Sequence, residues 1–175
     1  MNRRYFDAAI AGVLTLLVIA HMLQSALGVD RTMSIITALG LAVVVLFVGA
    51  FGLEMRVRSR RPQWPLALVV AGCFAMLITT AATMWPLKAA FAWSRPKLEQ
   101  LAQRVRDDGP IASPTRIGPF VIERAELKPS GVVCLWTGLD PAGDTGFAQW
   151  PDRDVPLSLW SQLDLADDWH FVSED

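Results

Sequence analysis

A histidine, a glutamine and several threonines are the side chains of this sequence that could handle a proton or a polar ligand in an apolar setting. They occur in three long apolar stretches. If successive stretches formed antiparallel helices, these residues would lie at similar heights along the helix axes. This predicted polar cluster comprises His21, Gln24, Thr37, Thr79, Thr80 and Thr83.

The polar cluster has two interpretations. Histidine titrates near neutral pH, so the cluster could sense protons or hold a ligand. Alternatively, His21 and Gln24 point inward because polar groups facing lipid are costly, and they hydrogen-bond between helices at roughly 0.6–2 kcal/mol per bond. No carboxylate in these stretches completes a proton relay. We therefore favour interhelical hydrogen bonding.

The second histidine, His170, follows Asp167 and Asp168 and has serines nearby at 158, 161 and 173. A nucleophilic serine needs its hydroxyl hydrogen-bonded to one imidazole nitrogen and a carboxylate hydrogen-bonded to the other. Such a serine often lies on a sharp strand-to-helix turn. The sequence has no such turn pattern. We predict a strand position for His170, no catalytic residues and no cofactor.

Metal binding has two weak candidates. Aspartates at 140, 144, 152 and 154 could surround Ca²⁺, but their spacing fits no EF-hand loop, which favours a solvated acidic loop. Cys73 and Cys134 lie in segments of different character, and neither has a second cysteine or histidine at metal-site spacing. We predict no metal and two free thiols.

The residues of the polar cluster belong to three uncharged apolar stretches, which must position them. These stretches span about 8–29, 33–53 and 64–87. At ~1.5 Å per residue, each covers the ~30 Å hydrocarbon core of a bilayer. The first is longer than the apolar part of a signal peptide, so we expect a retained helix. Residues 1–87 are thus predicted to form a three-helix transmembrane bundle.

Arginines mark one side of this bundle. Arg3 and Arg4 precede the first stretch and only Arg31 follows it, whereas four arginines separate the second stretch from the third: Arg56, Arg58, Arg60 and Arg61. The positive-inside rule then predicts a cytoplasmic N-terminus and an extracytoplasmic C-terminal domain. The four arginines could also bind anionic lipid. Arginine outnumbers lysine, which is typical of a GC-rich bacterial genome. We therefore expect the membrane to be a bacterial inner membrane.

Residues 88–96 are predicted as an interfacial connector and residues 97–175 as a small α+β domain. Apolar residues at helical spacing from Leu98 to Val105 predict one amphipathic helix after Ser94. A hairpin is expected from 120–127 and 132–137 around the turn 128–131, with further strands at 147–150 and 169–173. The segment 157–163 is ambiguous. The prediction is a three- to four-stranded antiparallel sheet.

Four tryptophans fall in this domain: Trp136, Trp150, Trp160 and Trp169. Large aromatic side chains compensate for a small core, so we expect them to be buried. The alternative is that two of them line a groove for a sugar or a peptide.

The charge balance restricts the partners. Residues 1–87 carry seven basic and three acidic side chains, and residues 88–175 carry nine basic and fourteen acidic ones. The acidic half argues against nucleic acid. We expect the lipid bilayer as one partner, and a protein or a second copy of the chain as another.

No motif names a reaction, so three functions stay open. The first is a non-catalytic bacterial inner-membrane protein that presents its domain for protein interaction or ligand sensing. The second is an accessory subunit of a transporter or channel. The third is a membrane-tethered enzyme.

Overall fold

The computed structural model describes residues 3–27, 31–58, 64–138, 144–150 and 159–174, with side chains at 8–27, 34–55, 57, 64–138, 144–150 and 159–174. The chain forms two compact units. The helical unit comprises residues 1–25 and 31–84, and the C-terminal unit comprises residues 26–30 and 85–175.

Three helices make up the helical unit: α1 (Arg3–Ala26), α2 (Arg31–Arg58) and α3 (Trp64–Thr83). Within each lies a segment long and apolar enough to cross a membrane, namely Ala8–Ala26, Ser34–Met55 and Trp64–Thr83. The three predicted apolar helices are therefore confirmed. The third ends four residues earlier than the predicted boundary at 87.

The three helices share an apolar core. It contains Ile10, Leu14, Val18, Ala42, Val45, Leu66 and Leu77. The α1 members recur every four residues and so occupy one face of the helix. Glycines on α2 allow α3 to approach closely, because a Cβ added at Gly49 would lie 2.8 Å from Val70 Cγ2. Small residues at such contacts are typical of helix pairs in lipid.

Met84, between α3 and α4, has a positive φ of 48°, and α4 (Trp85–Asp108) begins at the next residue. The predicted connector 88–96 is therefore helical, and the amphipathic helix begins nine residues before Ser94. Pro96 lies inside this helix. The buried positions run without interruption across Pro96, at Leu87, Phe91, Ser94, Leu98, Leu101, Ala102 and Val105.

Seven strands follow within the described residues, and they form two antiparallel sheets. Strands β1 (Thr115–Ile117) and β2 (Phe120–Ile122) pair with each other. The larger sheet has the order β3-β4-β5-β7-β6. Its strands are β3 (Arg124–Leu127), β4 (Val133–Gly138), β5 (Asp144–Gln149), β6 (Leu159–Ala166) and β7 (Trp169–Glu174). The prediction of three to four strands is too small.

The predicted hairpin exists as β3–β4, with Arg124 opposite Trp136 and Leu127 opposite Val133. Residues 120–122 do not extend β3, because they pair with β1 instead. Residues 159–163 of the ambiguous segment belong to β6, an edge strand of this sheet, and residues 157 and 158 lie outside the described residues. The pairing of β6 with β7 shifts register twice, which breaks the alternation that sequence patterns detect.

Both faces of the larger sheet carry buried side chains. On one face, Phe91 of α4 lies 5.7 Å from Phe147 and 5.7 Å from Trp169 between ring centroids. The other face buries Cys134, Trp136, Ala148, Trp150 and Val172. Of the four tryptophans, three belong to the core as predicted. Trp160 is 64% exposed.

Candidate functional site

Among the described residues of the helical unit, four polar side chains are buried, which we call the buried polar set: His21, Ser25, Ser34 and Thr80. On α1, Leu14, Val18, His21 and Ser25 follow one another at spacings of three or four residues, so one helix face carries all four. The apolar core thus continues into a polar segment. His21 is 2% exposed and Thr80 is fully buried.

Neither ring nitrogen of His21 has a hydrogen-bond partner among the described residues, and the same holds for the hydroxyls of the other three. An unpaired buried polar group costs roughly 1–3 kcal/mol. Polar groups retained at such cost inside apolar helices are candidates for function. The imidazole can donate from one nitrogen and accept at the other, so it suits a polar ligand or a proton.

The structure buries some members of the predicted polar cluster and leaves others exposed. His21 and Thr80 are buried, and Thr37 is half-buried. Gln24, Thr79 and Thr83 are exposed, and the Thr83 hydroxyl donates to the Thr79 carbonyl oxygen at 2.7 Å. The inward orientation predicted for Gln24 does not hold, since the buried face of α1 passes through His21 and Ser25 instead.

Two members of the buried polar set were missed from sequence, Ser25 and Ser34. Ser25 lies four residues after His21, and this spacing was the available signal. The structure does not describe the side chains of the four arginines predicted to bind anionic lipid. Arg56 and Arg58 end α2, where their side chains are not described, and Arg60 and Arg61 lie outside the described residues.

In the C-terminal unit, His170 takes part in a local constellation on β6 and β7. The two strands place Asp164 opposite His170, and Nδ1 of the ring lies 2.8 Å from Asp164 Oδ1. The ring stacks on Trp150 at 3.9 Å between centroids, with planes 6° apart. His170 therefore occupies the strand position predicted for it.

These residues do not have the hydrogen-bond arrangement of a hydrolytic triad, in which the imidazole lies between the serine and the carboxylate. Ser161 Oγ donates to Asp164 Oδ1 at 3.3 Å, whereas a nucleophilic serine contacts the other ring nitrogen, Nε2. Asp164 is also widely exposed, at 82% of its side chain. The hydrogen bond from His170 lowers the pKa of Asp164 and outweighs a small opposing effect of burial. The arrangement orients the imidazole ring.

A charged network lies over the buried Trp136. Arg124 binds Asp144 at 2.6 Å, and Lys128 Nζ lies 2.9 Å from Glu126 and 2.7 Å from Glu174. The Trp136 indole also donates to Glu126 at 3.1 Å. Arg124 and Glu126 are alternate residues of β3 and project to one face of the sheet, and Lys128 follows directly after the strand at the same spacing.

The pKa values in this network follow from its pairing. Burial by itself would raise the pKa of Glu126, but hydrogen bonds from Lys128 and Trp136 and nearby positive charges bring it below its ordinary value. Burial likewise opposes the charge of Lys128, whose pKa is nonetheless raised by its two carboxylate partners. Burial raises the pKa of Cys134 to about 12, so this thiol stays protonated at neutral pH.

The described residues contain no group of three or more metal-binding side chains. Of the four aspartates considered for calcium, Asp144 pairs with Arg124, and Asp140, Asp152 and Asp154 lie outside the described residues. Cys73 and Cys134 are both free thiols, as predicted.

No family model, curated protein or solved structure matches this chain. Functional arguments for it therefore depend on its own geometry.

Proposed function

We propose that this chain is a multi-pass protein of a bacterial inner membrane and that its C-terminal unit acts as a non-catalytic module for protein interaction or ligand sensing. The three apolar helices support membrane insertion. Six arginines on one side of the predicted bundle against one on the other support an extracytoplasmic C-terminal unit.

Trp160 carries the proposal of a binding module. Its side chain is 64% exposed although the other three tryptophans of the unit's sheet are buried. It lies on β6, one of the two edge strands of the five-stranded sheet. Tryptophan is enriched among residues that dominate protein interfaces, and an edge strand offers backbone groups for an added strand. Together these features favour a peptide segment of a partner protein.

A photoreactive amino acid at Trp160 tests this proposal in intact membranes. The matched control is Asp167, which is exposed in the turn between β6 and β7. A discrete protein adduct at position 160 that is absent at position 167 is the expected result. The same adducts at both positions, or none at 160, would contradict the assignment of β6 as the binding edge.

An accessory subunit of a transporter or channel is the second candidate, and the buried polar set favours it. A buried imidazole without a hydrogen-bond partner among the described residues is a suitable site for a proton or a polar solute. The chain has only two histidines, so ¹⁵N NMR of labelled protein in nanodiscs can follow both, and the His170→Ala variant identifies the His21 signal.

Titration of His21 between pH 5.5 and pH 8 would support the accessory-subunit candidate. A ring that stays neutral across this range would remove it. The third candidate, a tethered enzyme, receives no support from the position of Ser161 relative to His170.

A further inference from the structure

The first half of α4 has an exposed apolar side that faces away from the core of its own unit. At about 100° per residue, Trp85, Ala89, Ala92, Trp93 and Pro96 cluster on one side of the helix. All five are exposed, opposite the buried stripe that includes Leu87 and Leu98. We call these five residues, with Lys88 and Lys97, the outer face of α4.

The tryptophans are the main apolar groups of this face. Trp93 is 78% exposed and Trp85 is 39% exposed. An indole left in water forfeits the stabilisation that burial of its ring provides, whereas the headgroup region of a bilayer accommodates both its apolar ring and its N–H group. The outer face therefore suits a surface that is apolar on one side and wet on the other.

Two lysines flank the tryptophans. At the same helical spacing, Lys88 falls on one border of the apolar stripe and Lys97 on the opposite border. Both are exposed, and neither has an ion-pair partner among the residues that the structure describes. Arg95, by contrast, is paired with Glu99 at 2.7 Å. Unpaired lysines beside an apolar stripe are typical of helices that lie on anionic lipid surfaces.

The course of the chain identifies the surface. Helix α3, the last of the three candidate membrane spans, ends at Thr83, and α4 begins at Trp85. Trp93 is ten residues beyond Thr83, so a helix can carry it at most ~15 Å along its axis from the end of that span. The bilayer that receives α3 is thus within reach of Trp85 and Trp93.

We propose that the outer face of α4 lies in the headgroup region of the membrane and holds the C-terminal unit on the bilayer surface. Trp85 and Trp93 insert among the headgroups, and Lys88 and Lys97 contact lipid phosphates. Phe91, on the other side of the helix, packs against Phe147 and Trp169 of the sheet. This inference assumes the proposed membrane insertion and is independent of a partner at Trp160.

Fluorophores quenched by spin-labelled lipids test the proposal on the full chain in nanodiscs. Single cysteines replace Trp93, Ile78 and Ser130 in turn, in a background with Cys73→Ala and Cys134→Ala. Ile78 is 51% exposed on α3 and reports membrane insertion. Ser130 is exposed in the turn between β3 and β4 and is the solvent control.

Quenching at 93 by headgroup-labelled lipid and at 78 by chain-labelled lipid, with none at 130, is the expected result. If 78 is quenched and 93 is as unaffected as 130, docking is wrong and membrane insertion stands. If 78 is not quenched by either lipid, insertion fails and the docking proposal falls with it.

A second measurement leaves both native cysteines in place and reads the intrinsic tryptophan fluorescence against headgroup-labelled lipid. Trp93→Phe should remove part of the quenched signal, since Trp85 also lies among the headgroups in this proposal, and Trp160→Phe should leave the signal unchanged. Adding Lys88→Glu and Lys97→Glu should lower the docking equilibrium at least ~30-fold in phosphatidylglycerol-containing discs, given the attraction of each lysine to an anionic surface. Arg104→Glu with Arg106→Glu is the charge-matched control, and an equal loss in that pair would overturn the proposed role of the lysines.

Discussion

His21 is the residue at which the structure and elementary energetics disagree most. Its ring is 2% exposed, and the described residues provide neither nitrogen with a hydrogen bond. The hydrogen bonds expected from His21 and Gln24 to threonines of the other helices are therefore not formed at His21, and Gln24, Thr79 and Thr83 are exposed. What stays predictable at this scale is that His21 faces inward, because an apolar helix rarely turns an imidazole toward lipid.

Replacing His21 with leucine distinguishes a structural from a functional imidazole. If the ring has no ligand, His21→Leu should leave the free energy of unfolding unchanged or raise it by about 1–2 kcal/mol, because an unpaired polar group is removed. Gln24→Leu, on the exposed side of α1, is the control and should change it less. Unfolding in SDS mixtures measures both. A loss of stability at His21 alone would show that the imidazole has a partner.

Glu126 gives the C-terminal unit a predictable response to pH. Its pKa in the folded protein is below its ordinary value, so its stabilising effect is complete above the unfolded pKa and disappears as pH falls through the folded pKa. Glu126→Gln should cost about 1–2 kcal/mol at pH 7, since it removes the charge that Lys128 and Trp136 contact. The difference from the parent should disappear as the pH falls through the folded pKa of Glu126.

Thermal melting, followed by near-ultraviolet circular dichroism, measures this pH dependence of stability, because the signal of Trp136 reports on the charged network that packs over its ring. Glu123→Gln is the matched control, since Glu123 has no ion pair among the described residues. A deficit for Glu126→Gln that persists at low pH would mean that the network contributes packing and not charge.

At the scale of elements, the contact between α2 and α3 depends on a glycine. A Cβ at Gly49 would lie 2.8 Å from Val70 Cγ2, and a β-branched neighbour has little freedom to move. Gly49→Val should therefore destabilise the helical unit by about 1–3 kcal/mol through overpacking.

Gly40→Val on the same helix is the control, because a Cβ there meets nothing within 4 Å. The two substitutions share the same change in helix propensity, so their difference in SDS unfolding isolates the packing term. Equal effects at both positions would contradict close packing at Gly49.

The elements differ in how well the sequence predicts them. The three apolar helices were predictable because runs without charge have few other structures. The start of α4 was not, since Ser94 and Pro96 imitate a helix N-terminus although the helical spacing already includes Leu87 and Phe91. Strand β6 was missed because two register shifts disturb its alternation. Ser25 and Ser34 were missed because serine is common at helix ends.

At the scale of the whole molecule, the proposed membrane insertion divides the chain between a lipid environment and an aqueous one. Residues 1–84 contain the three candidate spans, and the C-terminal unit carries the acidic excess and a core built on aromatic contacts. The exposed tryptophans mark two different surfaces of the C-terminal unit, with Trp93 on α4 and Trp160 on β6. One faces the bilayer and the other faces a protein partner in the functions proposed above.

The membrane orientation of the C-terminal unit is the central claim, and fusions at Asp175 test it directly. Alkaline phosphatase is active only outside the cytoplasm, and a suitable fluorescent protein is fluorescent only inside it. With arginines concentrated at the N-terminus and between α2 and α3, the positive-inside rule predicts phosphatase activity without fluorescence. Fluorescence without phosphatase activity would place the unit in the cytoplasm and contradict the account.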